Sequence, residues 1–211
     1  MIEFTSADPS VIRSVRQRDL LNAWLRALDG RHGLPARGDY RPDRIADELV
    51  DMMEFDVSGE GEQARFLITQ EGSRLTATYG GEHIEPAKRT NRWLDDAIGL
   101  ERYAHVVCLY RACLTRRRPA FSIATVQDAD GKDVSYERLL LPFGRAGNVE
   151  QIVGSYKAIS IEGAFKLTNL MGLRPKAVPE IRVRAIIDRD FVPRPVDSDG
   201  SSGLIEISQI T

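Results

Sequence analysis

Two cysteines, three histidines and no long apolar run set the first limits on this chain of 211 residues. Two thiols cannot build the disulfide framework of a small secreted domain. Cys108 and Cys113 fall in a helical stretch, and their spacing puts them about 140° apart around a helix axis. Neither a disulfide nor a shared metal joins them without breaking that helix, so both read as core thiols. A zinc centre needs three or four converging ligands, and His32, His83 and His105 lie far apart in sequence with no ligand spacing around them. No segment approaches the ~20 apolar residues of a spanning helix. The N-terminal Met1 to Pro9 carries Glu3 and Asp8 and lacks the apolar stretch of a secretory leader, so a cytoplasmic location is expected. Net charge is −2, which supplies no field of one sign to attract nucleic acid or an anionic membrane.

Catalytic signatures are equally scarce. Neither a G-x-S-x-G elbow nor a G-x-x-x-x-G-K-[ST] phosphate loop occurs. The carboxylate pairs Asp95/Asp96 and Asp128/Asp130 fall on a helix surface and in a turn, and read as solvated. Arg116-Arg117-Arg118 ends a helix, where cations complement the dipole; contact with a phosphate or an acidic partner is the alternative. His105 is helical and is the one fair candidate for an axial haem ligand, against a plain surface histidine. No cofactor is identified.

What is present is alternation and helical periodicity. A first helix is expected from Asp8, with Pro9 at its first position and Leu21, Trp24, Leu25 and Leu28 on one face. Gly30 to Pro42 is a Gly/Pro-rich loop. A short helix then places Ile45 with Leu49, and Met52 to Val57 reads as a strand. Arg65 to Gln70 and Arg74 to Tyr79 read as a hairpin around Glu71-Gly72-Ser73. Helices follow over 85–118, divided at Gly99: Trp93, Leu94 and Ile98 in the shorter, a Tyr103/Val107/Tyr110/Leu114 stripe in the longer. Ala120–Val126, Val134–Phe143 and Val149–Ile159 make three antiparallel strands. A last helix is expected over Ile161–Met171. The tail is proline-rich and partly disordered in composition, with strand-like alternation at Ile181–Ile187 and Leu204–Ile210. Grouped strands around grouped helices indicate α+β with an antiparallel sheet. The expected organisation is an N-terminal helix (1–30), a central domain (31–160) and a C-terminal helix with an extended tail (161–211).

Several pieces together resemble a bacterial PAS-like family, PAS-5, over roughly Leu20 to Ser160. They are Trp24 with Gly33-Leu34-Pro35-Ala36-Arg37, then Asp39-Tyr40-Arg41-Pro42, the Arg65-Phe66 to Tyr79-Gly80 segment, Arg118-Pro119, and Tyr136-Glu137-Arg138-Leu139-Leu140-Leu141-Pro142-Phe143-Gly144. Gly80 to Glu85 departs from the family's usual G-x-D-x-T-G-like turn. The resemblance implies a PAS-like five-stranded antiparallel sheet flanked by short helices, a sensory or regulatory role, frequent dimerisation through an N-terminal helix, and no catalytic residues.

Face assignment nominates a pocket. Phe121 with Ile123, Leu139 with Leu141 and Phe143, and Ile152 with Gly154 and Tyr156 share strand faces. With Tyr103 and Val107 of the long helix they would line a ligand cavity, Tyr103 and Tyr156 offering hydroxyls; a filled core is the alternative. The expected function is a non-enzymatic sensor or regulator that binds a small ligand, a signalling partner protein, or both. Homodimerisation is expected through Val11 and Val15. A curved-sheet enzyme with an apolar cavity and a ligand-free scaffold are the competing readings.

Overall fold

The computed structural model describes residues 4–28, 33–43, 45–78, 91–127, 133–160, 180–188 and 190. Among them run eight strands: β1 (Thr5–Ala7), β2 (Met52–Ser58), β3 (Arg65–Glu71), β4 (Arg92–Trp93), β5 (Ala120–Gln127), β6 (Asp133–Arg145), β7 (Asn148–Ser160) and β8 (Glu180–Ile187). Five α-helices accompany them: α1 (Val15–Ala27), α2 (Ile45–Glu48), α3 (Ser73–Thr78), α4 (Leu94–Ile98) and α5 (Leu100–Arg116).

All eight strands join one sheet in the order β1-β8-β5-β6-β7-β2-β3-β4. The α+β class holds. The five-stranded antiparallel expectation is corrected: the sheet has eight strands and is mixed, because β1 pairs parallel to β8. The strands β8, β5, β6, β7, β2, β3 and β4 form an unbroken antiparallel run inside it. The alternating Ile181–Ile187 stretch, expected in the tail, is β8. It pairs antiparallel with β5 from Ala120 opposite Ile186 to Thr125 opposite Glu180, with one bulge. Without β8, the apolar β5 would end the sheet as an exposed edge.

Strand alternation divides the sheet into two covered faces. On one, α1 lays Leu20, Leu21 and Trp24 over Phe121, Leu139, Leu141, Phe143 and Val153. On the other, α5 lays Val107, Tyr110 and Cys113 over Phe55, Phe66, Leu140 and Ile152, with Leu75 and Leu94 from α3 and α4.

Four local expectations are corrected. The first helix does not begin at Asp8. Asp8 caps a single 3-10 turn over Pro9–Val11, the chain then extends, and Ser14 caps α1 by accepting from Gln17 N. The segment from Arg74 is helical, not a second hairpin strand. Gly72 is pressed so close to the preceding turn that a Cβ would lie 2.3 Å from Leu49 O, and its N–H donates to Met52 O. The chain therefore turns away from β3, whose free edge is taken by β4. A short alternating run such as Leu75-Thr76-Ala77 does not separate strand from helical turn. Trp93 belongs to β4 and precedes α4 rather than lying within it. Cys113 is buried as expected, but Cys108 is half-exposed. The expected helix over Ile161–Met171 and the strand at Leu204–Ile210 lie outside the described residues.

Candidate functional site

The β6–β7 hairpin outruns its neighbour. β5 reaches only as far as Ala120 opposite Leu140, so β6 beyond Leu140 has a strand on one side alone. The sequence there is Leu141-Pro142-Phe143-Gly144. Pro142 has no N–H to leave unpaired. Its carbonyl accepts from Trp24 Nε1 at 2.7 Å, and Gly144 N–H donates to Pro35 O at 3.1 Å. Trp24 and the loop at Pro35 thus occupy the edge that β5 leaves, and the backbone groups of that edge find partners. Gly144 stands at a register shift, where a Cβ would lie 1.8 Å from Asn148 O.

This docking sets Arg37 over the end of β6. Its guanidinium carbon lies 5.4 Å from the Tyr40 ring centroid and 5.8 Å from that of Phe143. The two rings are 5.0 Å apart and tilted by 59°. Arg37 Nη2 donates to Glu54 Oε1 at 2.5 Å, while its Nε is enclosed without a partner. Burial pushes the Tyr40 phenol far above its usual range, with Arg37 opposing and Glu54 reinforcing the shift. Beside Arg37 opens a pocket of about 90 Å³, with Gly38, Phe143, Arg145, Glu150 and Gln151 in its wall. Gln151 is held by donating to Asp56 Oδ1 at 2.8 Å. The pocket has room for a few waters or one carboxylate-sized group.

The opposite end of the same sheet face is charged and closed. Lys157 Nζ lies 2.6 Å from Glu48 Oε2 and 2.7 Å from Asp51 Oδ2. Arg74 adds two contacts to Asp51, at 2.7 and 2.8 Å, and Arg16 approaches Glu48 at 3.2 Å. Both carboxylates are buried. Next to them Glu137, opposite Lys157 in the β6–β7 register, is also buried. Its Oε2 accepts from Ser14 N at 3.4 Å, and its Oε1 has no partner. Burial raises the Glu137 carboxyl pKa, opposed by the Ser14 N–H and by Arg13. Gln17 Nε2, also buried, donates to Ser155 O at 3.0 Å. This cluster fastens α1 and α2 to the sheet.

The seven nominated pocket residues fall on two faces. Tyr103, Val107 and Tyr156 pack on the α5 side. Phe121, Ile123, Leu139 and Leu141 pack on the α1 side. The sheet lies between them, so they do not line one cavity. Residues 120 and 121, or 139 and 140, point oppositely, and the β6–β7 register sets Leu140 opposite Gly154 and Leu139 opposite Ser155. Tyr156 folds back so that its hydroxyl lies 2.7 Å from where a Gly154 Cβ would be. That hydroxyl meets the Tyr110 hydroxyl at 2.6 Å, and Arg138 lies 5.5 Å from the Tyr156 ring centroid. Of the three histidines, His105 is exposed on α5; His32 and His83 lie outside the described residues. Among the described residues no three His, Cys, Asp or Glu side chains converge as metal ligands.

Arg37, Arg145 and Gln151 were not nominated from sequence. The signal that points to them is a proline and a glycine, Pro142 and Gly144, inside an apolar strand. Such a pair marks a strand edge held by something other than a strand. Some of the pieces behind the family resemblance, Trp24, Pro35 to Arg37, Tyr40 and Pro142 to Gly144, meet at this one place. The chain matches no protein-family model, no curated protein and no solved structure.

Proposed function

We propose that this chain is a non-enzymatic, PAS-like sensory or regulatory protein that acts by binding a partner protein at the open end of the β6–β7 hairpin. The observation that carries this reading is the contrast between the sheet's faces and its end. Among the described residues both faces are covered: Phe121, Leu139 and Phe143 are fully buried, and the Tyr156 hydroxyl is engaged by Tyr110. The hairpin end keeps an open polar pocket on a scaffold fixed by Trp24 and Pro35. The meeting of Trp24, Pro35 to Arg37, Tyr40 and Pro142 to Gly144, part of the residues behind the resemblance, supports the PAS-like part. Homodimerisation through the start of α1 accompanies it, because Val15 is 61% exposed there.

The test is native mass spectrometry of protein purified from its own host, compared with the same sample denatured. The expected result is the bare chain, its dimer, or a complex with another protein. A small-molecule mass excess, lost on denaturation and unchanged by substitutions at Arg37 or Arg145, would instead place a ligand between helix and sheet and overturn the reading.

A further inference from the structure

Several cations on the sheet and its flanking elements are spoken for. Arg16, Arg37, Arg65, Arg74 and Arg92 each pair with a carboxylate. Arg116, Arg117, Arg118 and Arg145 are all exposed, and none pairs with a carboxylate among the described residues. These four arginines meet at one end of the molecule. Arg117 closes α5 in the left-handed conformation, φ 53° and ψ 34°, a position that glycine usually fills. Its guanidinium crosses to the β6–β7 turn, where Nη1 lies 3.4 Å from the place of a Gly147 Cβ. The turn itself carries positive φ at Ala146 and Gly147. The helix end and the hairpin tip therefore form one basic surface, and Arg145 continues it into the wall of the pocket beside Arg37.

Resting on the partner-binding function proposed above, we infer that this arginine surface docks an acidic segment of the partner, one of whose carboxylates enters the pocket. A guanidinium matches a carboxylate as a planar two-pronged donor. Glu150 in the pocket wall favours the singly charged carboxylate over a phosphate. A bilayer is disfavoured because, among the described residues, no large exposed apolar side chain lies beside the arginines. Leu100 opens α5 at its opposite end, and Leu49 sits at the Lys157 end of the sheet. A long polyanion such as DNA is disfavoured by the overall charge of −2.

The test is fluorescence anisotropy of labelled hexaglutamate titrated with the full chain, at low and at physiological salt. The expected result is saturable binding that weakens with salt. The double variant R118E/R145E loses about tenfold or more in affinity. The double variant R18E/R182E, with the same change in net charge at exposed positions elsewhere, stays close to the parent. Circular dichroism confirms that both variants fold. Equal losses in the two variants reduce the effect to net charge and overturn the site. Tighter binding of anionic vesicles or of duplex DNA than of the peptide overturns the partner class. No hexaglutamate binding, with cross-linking to a partner from position 145 intact, overturns the acidic segment while leaving partner binding standing.

Discussion

Replacing Gly144 with alanine tests how the hairpin end is built. A Cβ at this position would lie 1.8 Å from Asn148 O, 2.9 Å from Asn148 C and 3.1 Å from Glu150 N. All three atoms are backbone, so no rotamer change relieves the clash, and the bulge must open. Opening it moves Gly144 N away from Pro35 O, at a cost of about 1 kcal/mol for that hydrogen bond. Strain in the last rungs of the hairpin adds about 1–3 kcal/mol. The sum is about 3 kcal/mol. Gly147→Ala is the control. It has φ of +84° but only the Arg117 side chain nearby, at 3.4 Å, so it should cost about 1–2 kcal/mol through its left-handed backbone. Urea unfolding gives both values. In Gly144→Ala the amide signals of Ala36 to Gly38 should also shift, because the loop is fastened through Pro35. A Gly144→Ala loss below about 1 kcal/mol, or no larger than that of Gly147→Ala, would refute the docked-edge account.

Lys157→Met leaves Glu48 and Asp51, whose side chains are 5% and 4% exposed, with only half-exposed arginines. It should destabilise by about 3 kcal/mol, and adding Asp51→Asn should recover part of that loss in a double-mutant cycle. Trp24→Phe removes the donor to Pro142 O and should cost about 2–3 kcal/mol in unfolding free energy through the orphaned carbonyl and the lost ring volume. Glu137 gives a pH signature. Burial raises its folded-state pKa above the unfolded value, so the folded chain takes up this proton first as pH falls. The contribution of Glu137 to stability therefore grows on acidification through that window and is lost as pH rises through the folded pKa. Glu137→Gln should be more stable than the parent at neutral pH, and the advantage should vanish below the ordinary carboxyl range near about pH 4; a pH-independent difference would contradict this. Val15→Glu should give a monomer by light scattering, and an unchanged dimer mass would exclude pairing through α1.

The sheet was legible where apolar runs are long. Leu139-Leu140-Leu141-Pro142-Phe143 of β6 and Ile152-Val153 of β7 mark strands buried on both faces, and their pairing as neighbours follows from the turn Arg145-Ala146-Gly147-Asn148. Gly99 divides α4 from α5 as the sequence suggests. The mixed edge was hidden because β1 is only three residues, exposed and without an apolar pattern. α3 was hidden because its helical turn is shorter than either period can mark, and only docking of Leu75 and pairing of Arg74 with Asp51 decide it. The nominated pocket failed on parity. Residues of a single strand were assigned correctly to shared faces, but faces of different strands were combined without a register, and one register fact, Leu140 opposite Gly154, separates them. The candidate site eluded prediction for a different reason. It depends on where β5 stops relative to β6, a difference in strand length that local pattern does not carry.

The central claim is that the hairpin end, not the covered faces of the sheet, meets a partner. Its most direct test is a photo-cross-linking residue placed at Arg145 and, separately, at the exposed Arg182 of β8, with the full chain expressed in its own host. The account predicts one discrete protein adduct from position 145 and none of that mass from position 182. No adduct from position 145, or the same adduct from both positions, would contradict it.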